Sequence, residues 1–181
     1  MTANAALARI YGSDDDRVCL APYLTTLPTT IDGVLDEDFE DIGWLNEDGL
    51  SESQTGSVER KRGHQGNRVV RTRMNEPGTT ITFVGLETKP QTLALRYPEK
   101  NVSVTAGVRK ATRGSGQRIN VRSAVIDLFD ADDPTAAERF VIPRFEVAPN
   151  GDKAFTSKDI SAFPFVGEII GDFFHYMKVA V

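Results

Sequence analysis

Residues 139–148, Arg139-Phe140-Val141-Ile142-Pro143-Arg144-Phe145-Glu146-Val147-Ala148, carry the pattern that decides the fold class. Val141, Pro143, Phe145 and Val147 alternate with Ile142, Arg144 and Glu146, the period of two expected of a strand with one face in a core. Pro143 has no amide hydrogen for a ladder, which predicts an edge position or a bulge there. Upstream, in 118–129, Ala124, Ile126 and Leu128 share one face, while Val121, Ser123, Val125 and Asp127 share the other. A strand apolar on much of both faces is covered on both sides.

The pattern extends outward in both directions. Short β-rich runs at 17–21, 40–45, 57–62, 67–74, 79–86, 101–106, 155–160 and 172–180 are punctuated by Gly, Pro, Asn and Asp. Asn101 to Ala106 alternates cleanly, predicting one buried and one wet face. A single helix is predicted: Thr88 caps it, Pro90 occupies its first turn, Leu93 and Tyr97 are four apart, and Pro98 ends it. Ten strands and one helix predict a mainly β fold, a two-sheet β-sandwich or barrel with one flanking α-helix and extended arm and loops.

Three stretches fall outside this pattern. Residues 1–16 read as a polar N-terminal arm, 22–38 as a wandering acidic segment with no steady period, and 46–57 as a long polar loop. The division is therefore an arm, 1–16, and a single β domain, 17–181, as the length of 181 residues suggests. Composition, with 40% hydrophobic and 26% charged residues, excludes a disordered chain. No apolar run is long enough for a membrane helix, and Ala5 to Ala8 is too short for a secretory signal, so a soluble, unprocessed chain is expected. Cys19 sits in an apolar run and reads as a small buried hydrophobe.

Charge is unevenly placed. Residues 1–50 hold 11 Asp/Glu against 2 Lys/Arg, residues 51–122 hold 5 against 14, and residues 123–181 hold 10 against 5. Either these blocks neutralise each other within one subunit, or they meet across copies, where complementarity sets register and partner choice.

Motifs for chemistry are missing: no P-loop, dinucleotide fingerprint, nucleophile elbow or zincin helix is present. Gly114-Ser115-Gly116-Gln117-Arg118 reads as a hairpin tip. Asp36, Asp38, Glu40 and Glu47 echo a calcium loop, but Asp41 occupies the place that needs glycine, and Ile42 and Trp44 suggest a strand. His64 reads as a solvated turn residue and His175 as a strand residue near the core; with Cys19 they are too few for structural zinc. No catalytic, cofactor-binding or metal-binding residue is assigned, and an enzyme is not expected. The basic cluster Arg60 to Arg68, with Arg71 and Arg73, suits phosphate neutralisation in principle. It lacks aromatic interleaving in a chain of pI 5.1, and a solvated hairpin or a surface answering the acidic block is the simpler account.

The run Phe39-Glu40-Asp41-Ile42-Gly43-Trp44-Leu45-Asn46-Glu47-Asp48-Gly49-Leu50 resembles the GW/Y-x-x-x-DGL signature of phage major tail (tail tube) proteins of long, non-contractile, siphovirus-type tails. Further similar pieces follow in family order: the turn Gly63 to Gly66, the strands Asn67–Thr72 and Thr79–Phe83, Leu86-Glu87-Thr88, the strand ending at Asp127, Phe140–Arg144, and Ile160–Phe165. The resemblance spans about residues 17 to 180; the acidic length of 22–38 and the lack of an added immunoglobulin-like domain depart from some relatives.

The resemblance implies a structural subunit whose hexameric rings stack into a hollow tube in the virion. The tube houses a tape measure protein, meets tail tip or initiator and tail terminator proteins, and conducts double-stranded DNA during ejection. The protein would be made in the host bacterial cytoplasm, with no cofactor and no membrane partner. Contractile-tail and type VI secretion tubes share the fold, and a small β-barrel binding module or an enzyme are the rival classes. On this reading the inter-ring stacking loop is Asn46, Glu47, Asp48, Gly49, Leu50, Ser51, Glu52 and Ser53. A bore that does not hold phosphates needs an acidic or neutral wall. If Ile42 and Val58 face the core, period two places Asp41, Gly43, Glu59 and Lys61 toward the bore, and Ser123 and Asp127 likewise. Arg60, Arg62, Arg68 and Arg71 form the expected basic contact surface.

Overall fold

The computed structural model describes residues 8–133 and 135–178. In order along the chain lie β1 (Arg17–Pro22), β2 (Glu40–Asp41), β3 (Leu45–Arg62), β4 (Val69–Gly85), the helix α1 (Pro90–Arg96), β5 (Glu99–Thr105), β6 (Val108–Arg113), β7 (Asn120–Phe129), β8 (Ala137–Pro149), β9 (Phe163–Ile169) and β10 (Phe174–Met177). The fold is mainly β, with two sheets and one α-helix, as expected. An eight-stranded antiparallel sheet runs β2-β1-β7-β8-β9-β4-β3, with β10 also on β8; β5 and β6 form a separate hairpin.

Residues 40–45 draw the two ends of this sheet together. Glu40 and Asp41 pair with β1, and Leu45 pairs with Gly85 of β4, leaving only Ile42 to Trp44 to cross between opposite ends of the strand order. Ile42 N donates to Val18 O at 3.0 Å, and Leu86 N donates to Trp44 O at 2.8 Å. The sheet therefore curls barrel-like around one core. Val18 and Leu20 from β1, Ile81 and Phe83 from β4, Ala124 and Ile126 from β7, and Phe163 and Phe165 from β9 meet in it. Leu93 and Leu95 of α1 plug one side.

The bulge predicted at Pro143 is present and changes which residues of β8 are inside. Arg122 pairs with Phe145 but Ala124 pairs with Ile142, so Pro143 and Arg144 together oppose Ser123, whose Oγ donates to Pro143 O at 3.0 Å. One extra residue flips every side chain beyond it. Phe140 and Ile142 are core residues before the bulge, Phe145 and Val147 after it. The expected single face beginning at Val141 is thus corrected: Val141 is buried, but on the opposite face. The same point separates the partners of β8, with β10 on 138–141 and β9 on 145–149.

Other differences have equally local causes. Thr88 does not cap α1: Lys89 is the N-cap residue, its N donating to Thr92 Oγ1 at 2.9 Å, with Pro90 in the first turn as expected. Runs 67–74 and 79–86 are one strand, β4, kinked at Glu76 (φ 51°) before Pro77. Val102 and Val104 alternate but both are exposed, because β5 pairs only with β6 and packs its face on nothing. Residues 155–160 form no strand, and the β9 strand follows instead at Phe163.

Two of the stretches set apart by sequence lie on the chain's own sheet. Residues 1–7 of the expected arm fall outside the described residues. Beyond them, Ala131 N donates to Ile10 O at 2.7 Å, Phe129 N to Asp16 Oδ1 at 2.7 Å, and Arg9 Nη2 to Lys178 O at 2.9 Å. Residues 30–35 of the acidic segment lie over Arg17, Asp127 and Arg139, with Arg139 Nη1 donating to Gly33 O at 2.7 Å and Thr30 O at 3.3 Å.

Candidate assembly surfaces

β3 pairs with β4 alone, and β4 pairs with β9 only through Thr79–Gly85. The remaining hairpin, residues 55–78, is a two-stranded ribbon that leaves the sheet. Eight residues at ~3.3 Å each carry it roughly 25 Å outward. A 3-10 turn at Gln65–Asn67 closes its tip, where Gly66 (φ 67°) and Asn67 (φ 52°) take the left-handed conformation that reverses the chain.

The two faces of this ribbon differ. Val58 pairs with Met74 and Arg60 with Thr72; the register then shifts, so that Arg62 pairs with Val69 and Val70 is the extra residue. Val58 and Met74 are 48% and 54% exposed, and Val69 and Val70 at the shift 44% and 73%, so the ribbon carries exposed apolar side chains flanked by arginines. On the other face Glu59 opposes Arg73 and Lys61 opposes Arg71, with Glu59 and Lys61 ion-paired to each other. Lys61 places like charge directly across from Arg71, an unfavourable pair in a ribbon that is already marginal in water.

At the root of the ribbon the expected loop 46–57 is corrected to strand. Leu50 to Gln54 pair regularly with Phe83 to Thr79, and only Asn46 to Gly49 bulge out, four residues opposite the single Val84. With both faces wet, this strand has no apolar alternation to announce it. The bulge, Tyr11 to Asp16, and Asp41 to Trp44 enclose a cleft of about 590 Å³. Gly43 (φ 91°) permits close packing on Glu87, whose carboxylate lies where a Cβ would come within 2.3 Å. Trp44 N donates to Glu87 Oε1 at 2.9 Å, and Lys89 Nζ lies 3.2 Å from Oε2. These bonds, the amide of Trp44 first, hold Glu87 below the usual carboxylate range. Asp14, Asp16, Glu47 and Asp48 line the same cleft; among the described residues none of the four is ion-paired. Burial pushes the Asp16 carboxyl up. The Trp44 side chain stands over this cleft 65% exposed.

Positions expected to face a bore do not share one surface. Ser123 and Asp127 are 1% and 2% exposed and cannot line anything in this subunit. Asp127 accepts from Arg139 Nη2 at 2.9 Å and Arg17 Nε at 2.8 Å beneath residues 30–35. Val58 does not face the core, so the premise for Glu59 and Lys61 also falls; they share a face with Arg71 and Arg73, which is net basic. Gly43 is packed on Glu87, and Asp41 is exposed at the root. The arginines Arg60, Arg62, Arg68 and Arg71 all lie on the ribbon or its tip, but Arg60 and Arg62 are on one face and Arg71 on the other, so they do not form one surface in this subunit. His64 is exposed at that tip. His175 stacks on Phe140 at 4.3 Å between ring centres, its Nε2 3.1 Å from Glu138. Cys19 is buried, its thiol pushed up to about 12 by that burial. Sequence reasoning missed Asp14, Asp16 and Glu87 as one surface, because they come from segments far apart in the chain.

Among the described residues no group of three or more His, Cys, Asp or Glu is placed to hold a metal, and no helix is long and apolar enough to cross a membrane. A curled β domain with an uncovered ribbon is the shape of a structural subunit whose remaining contacts lie on other chains. The chain belongs to the phage tail tube proteins: the family described as phage tail tube protein matches residues 3–171. No curated protein matches it. Family membership makes it a structural component of the virion tail that self-assembles into a tube.

Proposed function

We propose that this protein builds the tube of a long, non-contractile tail, as hexameric rings stacked around a tape measure protein and later traversed by double-stranded DNA. The tail tip or initiator and the tail terminator would bound the tube at its two ends. The observation that carries this reading is the ribbon at 55–78, whose apolar side chains are left uncovered among the described residues. Rings require head-to-tail contacts that close by rotation, and stacking requires a second contact set along the axis. A projecting ribbon supplies the second set, with Asn46 to Ser53 at its root and Arg60, Arg62, Arg68 and Arg71 toward its tip. The contact element is thus the whole hairpin rather than residues 46–57 alone.

A wall that releases phosphates must not be cationic. The ribbon face bearing Glu59, Lys61, Arg71 and Arg73 fails that requirement, and Ser123 and Asp127 are buried. Asp41 is the position that retains an exposed acid for this role. A reconstruction of intact tails tests the proposal. The ribbon packed on a subunit of the adjacent ring is the expected result; ribbons pointing free into solvent would refute it. Imaging of concentrated purified protein for rings and tubes is the quicker companion measurement.

A further inference from the structure

The ribbon and the cleft at Trp44 are opposite in charge and lie at opposite ends of one hairpin. From Leu50 to Arg62 the strand is extended with small irregularities, so roughly 40 Å separate them. Paired along that length, a ribbon carries its own tip away from its own cleft. We infer that the cleft receives the Val58–Arg60–Arg62–Met74 face of the ribbon of a second copy. This rests on the tube-subunit reading and names the receptor of the projecting element.

Three observations favour that occupant. First, the chemistry matches on both sides. The ribbon face offers apolar side chains and two arginines, and the cleft offers Trp44 with the carboxylates of Asp14, Asp16, Glu47 and Asp48; among the described residues none of these charged groups is ion-paired. An arginine seated against an exposed indole near carboxylates gains both stacking and ionic attraction. Second, the ribbon is unstable by itself: a two-stranded hairpin is marginal in water, and its Lys61 and Arg71 repel across the ladder. Third, the contact is heterologous, one patch meeting a different patch. Repetition therefore yields a larger assembly, a ring or an open stack, rather than a closed dimer.

The test uses the full chain carrying Asn46→Cys in the cleft and Val58→Cys on the ribbon face. The native Cys19 is 3% exposed and does not compete. Mild oxidation of concentrated protein is expected to give a ladder of cross-linked multimers on a denaturing gel. Each single-cysteine variant is expected to give at most a dimer. Adding Arg60→Glu and Arg62→Glu should lower the ladder yield at least about tenfold, as loss of close interfacial charge pairs does. Adding Glu47→Lys and Asp48→Lys to that variant should restore it. Tubes by microscopy without a ladder overturn the docking and leave the tube reading standing. Neither tubes nor ladder overturns both. A ladder indifferent to the charge reversals overturns the assignment of these residues.

Discussion

Asp127→Asn separates a buried ion pair from a solvent-facing wall residue. Asp127 is 2% exposed and Arg139 5% exposed; the carboxylate takes Arg139 Nη2 at 2.9 Å and Arg17 Nε at 2.8 Å. The amide keeps the shape but removes the charge, leaving the Arg139 guanidinium in low dielectric with its remaining bonds to the carbonyls of Thr30 and Gly33. Stranding one partner of a buried pair costs about 3–5 kcal/mol. The Arg17 side chain is 41% exposed and reaches water, so its own loss adds less than about 1 kcal/mol. For a chain of this length the melting midpoint should fall by ~6–20 °C. Asp127→Leu combined with Arg139→Met should recover much of that loss, since an apolar pair leaves no stranded charge. Asp41→Asn is the control, an exposed carboxylate expected to stay within about 0.5 kcal/mol. Urea and thermal unfolding by circular dichroism measure all four proteins. A cost below about 1 kcal/mol for Asp127→Asn would show that the cluster is not a buried pair, and the placement of residues 30–35 over it would be wrong.

Three further outcomes follow from the packing. Gly167→Ala places a Cβ 1.9 Å from Cζ of the fully buried Phe145, so it should cost about 1–3 kcal/mol or more. Much of the loss should return on adding Phe145→Leu, read as coupling in a urea double-mutant cycle. Glu99 is held below its ordinary value of 4.5, chiefly by its bond to Arg109 and also by Arg113. Its contribution is fully present above pH 4.5 and is lost as pH falls through the lowered folded value. The stability difference between wild type and Glu99→Gln should accordingly be largest near neutrality and shrink in acid; a difference that grows in acid contradicts the pairing. Cys19 should resist maleimide at about pH 8 in the native protein and react fully in denaturant, because only an exposed thiolate is nucleophilic. Rapid native labelling, followed by mass spectrometry, would contradict its burial.

Much of the barrel was legible in the sequence, and its failures share one cause. β8 announces itself by apolar alternation, β1 by a short apolar run and β7 by apolar residues on both faces, because burial enforces them. Pro143 signalled its bulge, yet the face assignment needed the partner strand to show where the extra residue sits. Two readings of β7 conflicted in the sequence, coverage of both faces against a bore-facing Ser123 and Asp127; the overlying residues 30–35 settle it for coverage. The arms of the ribbon, 57–62 and 67–74, were legible as strands, but residues 51–56 were not, because they are exposed on both faces and no core left a period of two there. The cleft is harder still. Tyr11 to Asp16, Asp41 to Leu50, Glu87 with Lys89, and Leu128 reach it from four separate segments, and only residues of the second, Asp41, Gly43, Trp44 and Asn46 to Leu50, stood out beforehand.

Ile42, Gly43 and Trp44 are at once the seam of the barrel and the doorstep of the next molecule. Their amides and carbonyls tie β1 to Leu86, while the indole of Trp44 stands outside waiting for company. A guest on that doorstep presses on the stitch that keeps the host closed, so binding and folding draw on the same free energy by mass action. The completed appendage should therefore survive heating that unravels its free building block.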